Sequence, residues 1–175
     1  AYAENPNRFE MVTTDCLTGR ACYWEEKYDA KLIIDIVKAS SSLPYACPII
    51  PVLNRPMLDG GIVDSIPIQR AYSQGCTRCV VVLTRNKGYR KKDKSLYVPS
   101  FLYKKYPRLR VALRNRNKLY NQQLDLVEKL EEEGKIVVIR PEKPLMVGRM
   151  ETSVKRLTAL YNEGYECAKK IFTKE

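Results

Sequence analysis

Apolar residues in the first half of the chain predict two strands and a helix. Residues 9–15 have strand composition, and the turn after them leads into a second such stretch at residues 21–24, which predicts an antiparallel hairpin. In Ala30–Ser40, apolar residues recur with the 3.6-residue period of an amphipathic helix. Residues 43–56 contain four prolines and predict a loop, because proline interrupts both helices and strand ladders.

The second half predicts helices that alternate with two strands. Residues 67–74 predict a helix that ends at Gly75. Continuous apolar runs at residues 79–83 and 136–139 predict parallel strands covered on both faces, because a strand with one open face alternates apolar and polar residues. Residues 109–113 are interpreted as a short basic helix, and helical spacing of apolar residues predicts helices at residues 117–133 and 151–172. We expect the last of these helices to pack into the core.

The one stretch that indicates chemistry runs Met-Leu-Asp-Gly-Gly-Ile-Val-Asp-Ser-Ile-Pro over residues 57–67. A glycine pair after an acid lets the backbone adopt positive φ, which predicts that Asp59 stands at an exposed turn. Residues 62–63 would then form a short strand, and Asp64 or Ser65 would cap the helix that follows. On these residues alone, a simple tight turn is the competing interpretation.

Three motifs follow one another in this part of the chain. Residues 39–44 are Ala-Ser-Ser-Ser-Leu-Pro, residues 59–61 are Asp-Gly-Gly, and residues 64–67 are Asp-Ser-Ile-Pro. This order resembles the patatin-like phospholipases, which show Ala-Ser-x-x-x-Pro, Asp-Gly-Gly and Asp-Asn-x-Pro. Ser65 stands where asparagine is commoner in the family. The similarity extends over nearly the whole chain and is greatest to the bacterial cytosolic branch.

The resemblance implies a fold and a chemistry. The fold would be α/β, a three-layer α/β/α arrangement with a mainly parallel sheet, and residues 1–175 would be the incomplete C-terminal part of a single hydrolase domain. The activity would be acyl-ester hydrolysis of lipids by a Ser-Asp dyad, with no cofactor. Asp59 would be the catalytic aspartate, and Gly60 and Gly61 would form its supporting turn.

The serine of that dyad is missing from this chain. None of the eight glycines begins a Gly-x-Ser-x-Gly motif, and the family's glycine-rich oxyanion loop is missing as well. The chain has no histidine, which excludes a Ser-His-Asp triad within these residues but leaves a dyad open. We therefore expect a C-terminal fragment that is inactive alone. Without its partner strands, such a fragment should also tend to self-associate.

Composition limits the compartment and the metal chemistry. No apolar run approaches the roughly 20 residues of a membrane span, and no signal-peptide pattern is seen. Six scattered cysteines do not make a disulfide-stapled secreted domain, so we expect a cytoplasmic protein, with peripheral contact to a membrane as an option. Cys76 and Cys79 have CxxC spacing, but without a second pair or any histidine we expect no metal site.

The basic excess lies in one segment. Between Arg85 and Lys118 there are thirteen Lys or Arg and one acid, Asp93, a local charge of +12 against +11 for the whole chain. Aromatic residues are interleaved with these cations, which suits an anionic lipid surface or, as the weaker alternative, nucleic acid. The main alternative to both is a solvated lid over the sheet edge without a partner, because charge runs are most often that. The rivals to a hydrolase are thus a basic binding module and a pseudoenzyme scaffold that never had the serine.

Overall fold

A computed structural model describes residues 4–92, 97–99, 101–148 and 151–173, and it shows a mixed α/β chain. Its elements in chain order are β1 (Met11–Asp15), β2 (Arg20–Trp24), α1 (Ala30–Ser40), β3 (Ile50–Val52), β4 (Arg55–Asp59), a 3₁₀ turn (Gly60–Ile62), α2 (Ile68–Ser73), β5 (Cys79–Val82), α3 (Pro107–Glu132), β6 (Ile136–Ile139) and α4 (Val154–Phe172). The chain divides into two compact units. The first unit comprises residues 1–66 and 91–123, and the second comprises residues 67–90 and 124–175.

The first unit contains a four-stranded antiparallel sheet in the order β2-β1-β4-β3. The predicted hairpin is confirmed, with Met11 opposite Trp24 at its open end. The predicted helix at Ala30–Ser40 is also confirmed, and it packs its buried Ile36 against Met11 and Met57 of the sheet. Burial of the apolar face of α1, with Ile36 and Ala39 at its centre, is what stabilises this helix, because isolated helices of this length are marginal in water.

The predicted loop at residues 43–56 is wrong in its second half, because β3 and β4 form a hairpin there. Pro51 and Pro56 stand opposite each other. Val52 and Arg55 are the pair that closes the two-residue turn. At the next pair, the backbone N–H and C=O groups point away from the partner strand. The two prolines therefore remove no hydrogen bond from the hairpin. The Pro56 carbonyl instead accepts from the Cys16 N–H at 2.9 Å.

The opposite face of this sheet is covered by α3. Leu109 and Leu113 are fully buried and cluster with Leu58 and Ile62. The sequence predicted two helices, at residues 109–113 and 117–133, but the structure has one. The polar residues between the two stripes are neither glycine nor proline, so they interrupt the apolar pattern without breaking the helix.

The second unit pairs β5 with β6 in parallel, which confirms that these two strands are parallel. The predicted coverage of both faces is wrong. Val81 and Val138 are buried, whereas Val80 and Val82 are 51% and 70% exposed. None of the described residues of α4 is buried, so the expectation that this helix is core is also wrong. An apolar run shows that a segment can be buried. Actual burial also requires a partner surface, and the described residues do not provide one for the exposed side chains of β5 and α4.

The sheet as a whole differs from the prediction. The larger sheet is antiparallel and only the β5–β6 pair is parallel, so the described strands show neither a mainly parallel sheet nor three layers. The antiparallel pairing of β1 with β2 and of β3 with β4 follows from the short connections within each hairpin, since parallel neighbours require a long crossover. No helix in the described ranges is both long enough and apolar enough to cross a membrane.

The turn of the β3–β4 hairpin makes a prediction about stability. Leu53 and Asn54 have φ of 47° and 62°, the left-handed values of a type I′ turn. Asparagine tolerates this conformation and leucine does not, and Leu53 is 65% exposed, so little packing depends on it. Leu53→Asn should therefore raise the free energy of unfolding by up to about 1 kcal/mol in urea denaturation. Leu53→Val should lower it, and equal stability of the three chains would contradict a strained turn.

Candidate active site

Asp59 is the last residue of β4, and its backbone is held on both sides. Its N–H donates to the Ser42 carbonyl at 3.0 Å, and its own carbonyl accepts from the Thr14 hydroxyl at 2.8 Å. Ser42 follows α1, and Thr14 is a buried residue of β1. The Asp59 side chain therefore projects from a fixed strand end. The sequence had instead predicted an exposed turn.

The glycine pair is required for a reason other than the predicted one. Neither Gly60 nor Gly61 has positive φ, and the predicted short strand at residues 62–63 is replaced by the end of the 3₁₀ turn. A Cβ on Gly60 would lie 2.4 Å from the Val12 carbonyl oxygen, and a Cβ on Gly61 would lie 2.9 Å from Oδ1 of Asp59. The missing side chains therefore let the turn approach β1 and let the carboxylate fold over it.

The two oxygens of the Asp59 carboxylate differ. Oδ1 accepts from the Gly61 N–H at 2.6 Å. Oδ2 accepts from no described residue, and it is not sealed from solvent. Burial raises the pKa of the Asp59 carboxyl, while the Gly61 hydrogen bond and the charges of Arg116 and Lys91 act in the opposite direction. A carboxylate with a raised pKa is a stronger base, and Oδ2 is the atom free to take a proton.

One face of α3 holds the residues around Asp59. Arg116, Tyr120 and Gln123 follow one another at helical spacing. Arg116 donates through Nε to the Gly61 carbonyl at 3.0 Å. Gln123 accepts from the N–H groups of Ser65 and Ile66 at 3.1 Å and 3.2 Å. The Tyr120 ring lies 3.7 Å below the Lys91 ammonium. The helix therefore fixes the turn at one end and residues 64–66 at the other.

Asp64 has a different role from the predicted helix cap. Its two oxygens accept from the Tyr23 hydroxyl and the Gln123 amide, each at 2.6 Å. The N-cap of α2 is Pro67, which makes no side-chain capping bond, and the Ser65 hydroxyl donates back to the Gly61 carbonyl at 2.8 Å. The capping prediction failed because Asp64 is satisfied by Tyr23 and Gln123, far along the chain, and Ser65 is satisfied by the turn that precedes it.

Sequence reasoning missed Arg116, Gln123 and Tyr23. The first two share a stripe with Tyr120 at helical spacing, which is a signal that such residues face one surface. Nothing in the spacing indicates that this surface meets residues 59–66, because the contacts join positions more than fifty residues apart.

No serine hydroxyl among the described residues donates to Asp59. The Ser42 hydroxyl donates to the Lys38 carbonyl at 2.8 Å, and the Ser65 hydroxyl is used on Gly61. Within the described ranges no three His, Cys, Asp or Glu side chains gather as a metal site; Cys76 is exposed, and Cys79 begins β5. The described residues thus bring together Asp59 and its supporting turn, without a nucleophile.

The basic segment divides between the two units. In the second unit, Arg90 forms ion pairs with Asp125 and Glu128 at 2.7 Å each, so that this cation is neutralised locally. In the first unit, exposed cations and exposed aromatic rings lie within one short stretch, and they are Lys104, Lys105, Arg108, Tyr97 and Phe101. Part of the segment's positive charge is therefore exposed, and it lies close in sequence to exposed aromatic rings.

A family model described as a domain of unknown function (DUF6363) matches residues 106–174, which is less than half of the chain. This segment contains Arg116 and Gln123 and does not contain Asp59. No curated protein matches the chain.

Replacing Asp59 tests the electrostatics of the site. Because burial raises the pKa of this carboxyl, the folded chain holds the proton more tightly than the unfolded chain does, and the ionised form destabilises the fold. Asp59→Asn keeps an acceptor for the Gly61 N–H and removes the charge. It should raise the free energy of unfolding at pH 7, and the gain should shrink as the pH falls through the raised pKa and vanish below the ordinary value of 3.8.

Asp64→Asn is the matched control, measured by the same urea denaturation series. Both oxygens of Asp64 accept short hydrogen bonds, and an amide removes the negative charge from both bonds and replaces the acceptor of the Tyr23 hydroxyl with a donor. This variant should lose about 1–3 kcal/mol at pH 7. A loss of similar size in Asp59→Asn would show that the Asp59 carboxylate is held by partners and not strained by burial.

Proposed function

We propose that this chain supplies the aspartate of a Ser-Asp dyad in a patatin-like acyl-ester hydrolase that acts on lipids. The observation that carries the proposal is the state of the Asp59 carboxylate. One oxygen is fixed on the Gly61 N–H, and the other has no donor among the described residues and reaches solvent. The motifs at residues 39–44, 59–61 and 64–67 support the same conclusion through their resemblance to that family.

The proposed reaction uses Asp59 as a general base. A serine hydroxyl supplied from outside these residues would donate to Oδ2 of Asp59 at about 3 Å. As the serine oxygen attacks the ester carbonyl, its proton passes to Asp59, the alcohol leaves with a proton, and an acyl-enzyme remains. Water then hydrolyses the acyl-enzyme by the reverse proton transfers. The raised pKa of the Asp59 carboxyl assists the first step, and no cofactor is needed.

The proposal extends to the fold. The chain would be the incomplete C-terminal part of a three-layer α/β/α domain, with β5 and β6 in its parallel portion. A two-stranded sheet is marginal alone, and parallel strands are normally covered on both faces. Further strands of the same protein would cover Val80 and Val82, and in their absence a second copy of the chain would do so by self-association. A cytoplasmic location belongs to the same proposal.

Labelling with a fluorophosphonate tests the dyad. Intact mass spectrometry should show no adduct on the 175-residue chain and one adduct on a longer product of the same gene that carries Gly-x-Ser-x-Gly. Asp59→Asn in the longer protein should slow labelling by roughly 100-fold or more, because it removes the base. Asp125→Asn, at an exposed carboxylate of the second unit, should label normally.

Two results would overturn the proposal. An adduct on the 175-residue chain itself would place an activated serine among these residues. A longer protein that is never labelled would favour a pseudoenzyme scaffold.

A second candidate function is peripheral binding to an anionic lipid surface. Tyr97 and Phe101 are 84% and 76% exposed, and the exposed cations Lys104, Lys105 and Arg108 follow within the same unit. Exposed aromatic rings beside cations are typical of surfaces that lie at the headgroup level of a membrane. This function is compatible with a lipid hydrolase and also stands without one.

Vesicle sedimentation tests this surface. The double variant Lys104→Glu/Lys105→Glu should bind vesicles of phosphatidylserine and phosphatidylcholine roughly tenfold more weakly or worse, at about 1 kcal/mol per cation. The matched control is Lys155→Glu/Lys169→Glu, which makes the same charge change at exposed positions of α4 and should bind normally. An equal loss of vesicle binding in both double variants would show that binding depends on net charge and not on this surface. Salt-sensitive affinity for nucleic acid without vesicle binding would favour the nucleic-acid module.

A further inference from the structure

The guanidinium of Arg116 is anchored by one nitrogen and leaves two unused. Nε donates to the Gly61 carbonyl at 3.0 Å. No described residue accepts from Nη1 or Nη2, and neither atom is sealed from solvent. Holding the Gly61 carbonyl needs a single donor, so this contact accounts for only part of the side chain. The unused edge of the guanidinium is the pair of nitrogens that binds carboxylate and phosphate in a fork.

The position of this edge is set by the peptide group of Gly61. The Gly61 N–H binds Asp59 and the Gly61 carbonyl binds Arg116, so the carboxylate and the guanidinium flank a single residue. They do not form an ion pair with each other. The charge of Arg116 is nevertheless close enough to act on both Asp59 and Tyr45. A cation thus stands beside the candidate base without being neutralised by it.

We infer that Arg116 binds an anionic group of the substrate, a phosphate or carboxylate, and places it next to the ester that Asp59 helps to attack. This inference rests on the proposed function for the identity of the ligand as a substrate, and it assigns to Arg116 the recognition of the anionic group. The site is fixed in advance, because Arg116 lies on a helix of 26 residues and its Nε is already anchored. Little side-chain freedom is then lost when the ligand binds.

Binding can be measured on the 175-residue chain itself. The probes are inorganic phosphate and dihexanoylphosphatidylcholine below its micelle concentration, at constant ionic strength, and the readouts are the NMR signals of the Gly61 amide and the Arg116 Nε–H. Wild type should show saturable shifts at both signals. Arg116→Gln should weaken binding roughly tenfold or more, since it removes a charge-assisted pair of hydrogen bonds. Arg114→Gln, at an exposed arginine two residues earlier on α3, should bind like wild type.

The two probes separate the sources of the anion. Shifts with both probes indicate a phosphate site, and shifts with the lipid alone indicate a headgroup site; either supports the inference if the shifts depend on Arg116. The inference is overturned if neither probe gives saturable shifts, or if Arg116→Gln leaves the shifts unchanged. If Arg116→Gln does not fold, Arg116→Lys is compared with Arg114→Lys, and equal affinities of these two variants overturn it as well.

The outcome is independent of the fluorophosphonate test. Probe binding requires neither the serine nor turnover. If binding depends on Arg116 but the longer protein is never labelled, the inferred anion site stands and the proposed hydrolase is wrong. If the longer protein is labelled normally but binding does not depend on Arg116, the proposed hydrolase stands and the inferred anion site is wrong.

Discussion

The peptide group of Gly61 is the constraint on which the candidate site depends. Its N–H binds the Asp59 carboxylate, and its carbonyl accepts from both Arg116 and the Ser65 hydroxyl. A base, a cation and a turn are thereby tied to one backbone unit, which can serve all three only because no Cβ occupies the space that Oδ1 of Asp59 fills. Gly60 meets a second steric demand, the close approach to β1. Displacement of this peptide would disturb every one of these groups together.

The same arrangement lowers the stability of the fold at the carboxylate that the proposed reaction would use. The ionised carboxylate of Asp59 is partly desolvated and accepts one hydrogen bond from the described residues, whereas Asp64 is satisfied at both oxygens. Two carboxylates five residues apart therefore differ, because Asp64 is used in structure and Asp59 keeps one oxygen available for the proposed proton transfer. Costs of this kind are tolerated where the rest of the unit stabilises the fold, and here the buried contacts between the sheet and α1 and α3 do so.

Local patterns predicted the elements better than their partners. Ala30–Ser40 and the β1–β2 hairpin were predicted correctly because their periodicity and turn lie within a few residues. The β3–β4 hairpin was missed because proline compatibility depends on the pairing position, which composition does not show. Asp59 and its glycines were found from their motif, but Arg116 and Gln123 were not. Their contacts depend on how α3 crosses the sheet, a tertiary fact with no signature at one position.

The atoms left open in the first unit point to the kind of ligand. Partly buried polar groups normally find partners, yet Oδ2 of Asp59 and the two Nη atoms of Arg116 have none among the described residues and still reach solvent. An acceptor suited to a hydroxyl and a fork suited to an oxyanion stand on either side of one peptide. A neutral ester would engage only the first of these. A ligand that carries an ester and an anionic group would engage both, and for that reason the proposed hydrolase would favour a charged acyl ester over a neutral one.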